Sequence, residues 1–103
     1  DFVKLAKEII FNQPEVSKMI SQKEMPLYLE NGVFHHNLQS TNELLGESPY
    51  ILGGKTGLTD RAGGCLLLIL KTNQPDEYIV NVILGSKDRF GEMETLNHCA
   101  LGR

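Results

Sequence analysis

A chain of 103 residues with 41% apolar and 22% charged side chains has room for one hydrophobic core and one domain. Its formal charge of −3, with ten Lys and Arg scattered along its length, excludes a nucleic-acid surface, because phosphate binding needs clustered cations. No apolar run reaches the roughly 18 residues that a bilayer span requires, and the first residues lack the pattern of a secretion signal.

Phe2, Leu5, Ala6, Ile9 and Ile10 recur at i, i+3, i+4, i+7 and i+8, the stripe of an amphipathic helix. Asp1 is placed to cap it, and Asn12 and Pro14 end it. Because that helix opens at once, the chain reads as cut from a longer protein. A short second helix follows over residues 14–20, with Pro14 at its first position. Residues 25–29 and 33–38 flank Glu30-Asn31-Gly32, and Asn-Gly between apolar runs predicts a hairpin, since both residues tolerate positive φ. His35 and His36, neighbours in its second strand, are expected on opposite faces and so unable to share a metal. His98 and Cys99 read as surface or packing residues. Residues 40–45 form a loop or one helical turn, capped by Ser40 or Thr41.

Residues 50–59 read as a strand with glycines at 53, 54 and 57, and so many glycines imply another backbone or a ligand close by. Asp60 and Arg61 are an exposed pair in the turn that follows. Gly63-Gly64 then leads into Cys65-Leu66-Leu67-Leu68-Ile69-Leu70, the continuous apolar run of a central strand. After a polar turn, residues 78–84 form a second apolar strand, antiparallel to the first. Phe90, Met93, Leu96, Ala100 and Leu101 mark a closing helix, with Ser86 and Asp88 as candidate caps. Cys65 and Cys99 read as two buried thiols, with a single bridge left open.

The segment that carries chemistry is Gly53-Gly54-Lys55-Thr56-Gly57-Leu58-Thr59-Asp60-Arg61-Ala62-Gly63-Gly64. A phosphate-binding loop is excluded: its first glycine would fall at Pro49, and a strand rather than a helix follows Thr56. Lys-Thr-Gly is also the strand motif of active-site serine penicillin-binding enzymes. The longer string Lys-Thr-Gly-x-Thr-x-x-Ala-Gly resembles the low-molecular-mass penicillin-binding proteins of the serine-type D-alanyl-D-alanine carboxypeptidase family. The resemblance extends upstream through Ser40-Thr41-Asn42-Glu43-Leu44-Leu45 and downstream through Gly85, Arg89 and Leu96, and so covers nearly the whole chain.

That resemblance implies an α+β domain, an antiparallel sheet with flanking helices, forming the C-terminal part (residues 1–103) of a carboxypeptidase catalytic domain. It assigns Lys55 to proton transfer and to holding negative charge at the reacting centre. The backbone N–H of Leu58 becomes one donor of the oxyanion hole. Thr56 and Arg89 bind the terminal carboxylate of the substrate, Arg89 as a planar fork of donors. Gly57 leaves room for the substrate backbone, and Thr59 joins the substrate-binding set. No serine here has Lys three residues on, so the nucleophile of Ser-x-x-Lys and the family's Ser-x-Asn motif are expected upstream of Asp1. Without the nucleophile this chain alone is expected to be inactive. The implied partners are peptidoglycan stem peptides ending in D-Ala-D-Ala and β-lactams, outside the cytoplasm, with no cofactor, metal or nucleic acid. An exposed strand edge favours self-association or binding to the missing half. The alternative is a non-catalytic peptidoglycan-peptide binding or structural module of the same fold. A β-lactamase fits less well, because its Lys-Thr-Gly strand lacks the Thr-x-x-Ala-Gly continuation.

Overall fold

The apolar run becomes the middle of the sheet. In the computed structural model, which describes residues 1–102, β4 (Gly63–Lys71) lies between β3 (Ile51–Thr59) and β5 (Tyr78–Ser86), antiparallel to both. Side chains of a strand alternate between faces, and here both faces are covered. Leu66, Leu68 and Leu70 pack with Leu44 and Met93 under α3 (Arg89–Ala100). Leu67 and Ile69 pack with Ala6 on the opposite side, beneath α1 (Phe2–Asn12) and α2 (Pro14–Ile20). A strand buried on both sides cannot alternate in polarity, which is why the sequence shows an unbroken apolar stretch. Each such side chain contributes about 1.5–3 kcal/mol of burial.

The expected α+β class is the observed one, an antiparallel sheet with helices beside it. Asp88 caps α3 by accepting from Gly91 N at 3.2 Å, while Ser86 Oγ accepts from Asp88 N at 2.9 Å. Asn81 on β5 donates to Asn97 on α3 at 3.0 Å, so the two buried amides satisfy each other.

The helical stripe at the start of the chain is only partly used. Ala6 alone is buried, Ile9 and Ile10 are half-buried, and Phe2 and Leu5 are about half exposed. The helix touches the sheet along one narrow line, with Phe11 edge-on to Tyr78 at 5.6 Å. Asp1 caps it through its carbonyl, which accepts from Leu5 N at 2.9 Å, and not through its side chain.

β1 (Glu24–Tyr28) and β2 (Phe34–Gln39) form a separate two-stranded sheet, shifted by about one residue from the expected bounds. Only Gly32 of the Asn-Gly pair takes positive φ, at 83°, while Asn31 Oδ1 accepts from Val33 N across the turn. The two histidines do not point to opposite faces. Leu27 pairs with His36 and Tyr28 with Phe34, so His35 is the extra residue of a bulge. A bulge breaks the alternation, and the His35 and His36 rings meet through their Nδ1 atoms. No group of three or more His, Cys, Asp or Glu suited to a metal occurs among the described residues. The thiols also differ from expectation: Cys65 is half-buried, Cys99 is exposed, and both are free.

Two pairs of close approaches fix the sheet. A Cβ on Gly54 would stand 2.2 Å from the Leu67 carbonyl oxygen of β4, and one on Gly53 would stand 2.8 Å from the Ile20 carbonyl oxygen. Gly54→Ala is therefore expected to cost about 3 kcal/mol or more, at the upper end of overpacking effects. Urea denaturation at an unchanged m-value would measure it, and a loss under about 1 kcal/mol would mean that the strands part easily. At the far end, Gly63 (φ 71°) and Gly85 (φ 68°) meet: a Cβ on Gly63 would stand 3.1 Å from the Gly85 Cα. Gly63 begins β4 and Gly85 lies near the end of β5.

Candidate active-site strand

β3 is an edge strand, paired with β4 alone. A groove of about 340 Å³ runs beside it, lined by Gly54, Lys55 and Thr56 on one side. Met19 and Ile20 of α2, Met25 and Leu38 of the hairpin, and Ser40, Thr41 and Asn42 line the rest. Strand alternation would send Lys55 and Thr56 to opposite faces. Because the groove follows the edge, both line it.

Lys55 is exposed, and its ammonium donates to the carbonyl of Thr56. Thr56 is half-buried, and its hydroxyl meets that of Thr41. Thr41 was not among the expected site residues. Its only signal in the sequence is its place in a polar turn 15 residues upstream of Thr56. Beside Gly57 the space is open except for Cys65, whose Cβ lies 3.7 Å from where a Gly57 Cβ would be. Arg89 reaches the same strand from the start of α3, donating from Nη1 to the Gly57 carbonyl at 2.8 Å. Leu58 is 68% exposed, further along the strand. Thr59 is exposed too, and its hydroxyl accepts from Ala62 N at 2.9 Å, bracing the turn that holds the exposed Asp60 and Arg61. Lys55, Thr56 and Gly57 follow one another on the edge strand, and Arg89 is brought to that strand at Gly57. Of the expected site residues only Lys55 and Thr56 line the groove, and Gly57, Leu58, Thr59 and Arg89 lie outside it.

The Ser-x-Asn spacing expected only upstream of Asp1 does occur in this chain, as Ser40-Thr41-Asn42. Its geometry is that of a turn. Ser40 Oγ accepts from Asn42 N at 3.1 Å, and Asn42, 3% exposed, accepts from Leu44 N through Oδ1 at 3.2 Å. The Asn42 Nδ2 is buried beside Gly54 without a hydrogen-bond partner among the described residues.

The arrangement is a cation and a hydroxyl along an open sheet edge, beside a glycine that leaves room for another backbone and whose carbonyl a guanidinium reaches from the side of β4. The α+β fold that carries it is a partial transpeptidase-like fold, shared with penicillin-binding proteins. Penicillin-binding protein D2 of Listeria monocytogenes, solved with cefotaxime and with ampicillin, is 29% identical, with a TM-score of 0.72 over 91% of this chain. The chain spans little more than a third of that protein, 36% and 37% of the two structures. An evolved penicillin-binding protein homologue from Mycobacterium tuberculosis shares the fold at a TM-score of 0.60 and 20% identity, over 77% of this chain and 28% of its own length. No family model and no curated protein sequence matches the chain.

Proposed function

We propose that the chain is the C-terminal part of the catalytic domain of a serine-type D-alanyl-D-alanine carboxypeptidase acting on peptidoglycan stem peptides in the cell envelope. The observation that carries this reading is a groove at the open edge of β3 that both Lys55 and Thr56 line. The stem peptide lies along that edge, with its backbone against Gly57. Thr56 Oγ and the free donors of Arg89 hold its terminal carboxylate. A serine from the remainder of the protein attacks the carbonyl carbon of the penultimate D-Ala. The oxygen that becomes negative points at the Leu58 N–H, and Lys55 stabilises the charge and supports proton transfer. The C–N bond breaks, D-Ala leaves with the proton, and water hydrolyses the serine ester. A β-lactam enters by the same attack, its ring amide opening to leave an acyl-enzyme.

Intact-mass measurement after incubation with a β-lactam tests this. The full-length protein is expected to gain one acyl group per molecule, and the 103-residue chain alone is expected to gain none. A full-length protein that stays unmodified overturns the enzymatic reading in favour of a peptide-binding module. An adduct on the short chain would show that the nucleophile lies within it.

A further inference from the structure

The Arg89 contact with Gly57 joins residues 32 apart on different elements. The side chain reaches β3 by crossing β4. Its Cβ and Cδ pass 3.4 and 3.3 Å from the position a Gly64 Cβ would occupy, so the lack of a side chain there leaves the passage open. The carbonyl it holds and the Leu58 N–H belong to one peptide unit. Such a unit is planar, and no cis bond occurs among the described residues, so the carbonyl and the N–H point in opposite directions. Arg89 approaches from the side of β4. The ladder with β4, in which Gly57 stands opposite Cys65 and Leu58 opposite Gly64, already turns the Gly57 carbonyl toward β4 and the Leu58 N–H toward the free edge of β3, and Arg89 adds a second, charged donor to that carbonyl.

We infer that Arg89 is a positioning residue for the oxyanion donor, in addition to its carboxylate role: by adding a charged donor to the Gly57 carbonyl it steadies and polarises the peptide whose Leu58 N–H faces the free edge. A guanidinium carries five donors, so one bond to Gly57 leaves others for a ligand. A charged donor on the carbonyl also polarises the peptide and makes its N–H a stronger donor. A donor aimed before the reaction needs no reorganisation as charge develops. The inference rests on the reading of β3 as an acyl-transfer strand, and its test separates the two.

The test compares wild type, Arg89→Ala and Arg89→Lys in the full-length protein. The acyl donor has its terminal carboxylate capped as an amide, so the carboxylate contact is missing in every case. Arg89→Ala is expected to slow acylation about tenfold with little change in KM, less than the outright removal of an oxyanion donor. The infrared band of the acyl-enzyme ester carbonyl is expected to move to higher wavenumber, because the N–H of a less polarised peptide is a weaker donor to that carbonyl. Arg89→Lys keeps one donor and is expected to restore most of both. If the capped substrate reacts equally fast with Arg89→Ala and the band does not move, the positioning role is overturned while the acyl-transfer reading stands. If wild type forms no acyl-enzyme, both fall.

Discussion

Lys55→Ala in the full-length protein is expected to lower the rate of acylation by a β-lactam about 10²–10³-fold, the range for losing one group that stabilises developing charge. Lys55 is exposed on an edge strand and its ammonium donates to the neighbouring Thr56 carbonyl in an exposed hydrogen bond, so no buried network depends on it. The loss should therefore leave stability almost unchanged, as surface substitutions do, within about 0.5 kcal/mol. Stopped-flow acylation and thermal unfolding on the same sample check the pair of outcomes. A change in acylation under about threefold would remove Lys55 from the chemistry. A large loss of stability would reassign it to the fold.

Thr56→Val is expected to act through the terminal carboxylate of the substrate. A hydrogen bond to a charged group is worth about 1.5–3 kcal/mol, so turnover of a free-carboxylate peptide should fall about ten- to hundredfold, with its terminal amide nearly unaffected. The hydroxyl of Thr41 meets that of Thr56 and restrains its rotor. Thr41→Val removes only that support and should cost less, about 1 kcal/mol, on the same substrate. Equal losses on carboxylate and amide in Thr56→Val would place Thr56 in the packing of the groove instead.

The parts of this architecture that were legible in the sequence are those set by local pattern. The unbroken run from Cys65 to Leu70 announces a strand covered on both faces, and Asp88 ahead of a 3.6-residue periodicity announces α3. Gly53 and Gly54 announce a close backbone approach, which Ile20 and Leu67 supply. What stayed hidden depends on contacts between distant residues or on one inserted position. The bulge at His35 follows from a register slip against Leu27 and Tyr28, which no alternation count detects. The exposure of Phe2 and Leu5 follows from how little of α1 the sheet can cover. Thr41 opposite Thr56, and Arg89 on Gly57, join separate elements, so neither residue's neighbours in sequence betray its partner. The Ser-Thr-Asn turn shows the converse: a spacing that looks chemical is used to tie a loop and bury an amide.

The meeting of Gly63 with Gly85 has a consequence for how the site tolerates change. Gly63 lies just beyond the segment that holds Lys55, Thr56 and Gly57, and Gly85 lies four residues before Arg89. Their approach links the two pieces of chain that carry the candidate site residues, and it is tight at Gly63, where a Cβ would stand 3.1 Å from Gly85. Effects of substitution at residues in contact do not add, so the cost of a side chain at one glycine depends on what stands at the other. Local opening also proceeds in contiguous cooperative units. Loosening that approach is expected to release the edge strand and the arginine in a single event, so that the candidate site comes apart as a whole or holds as a whole.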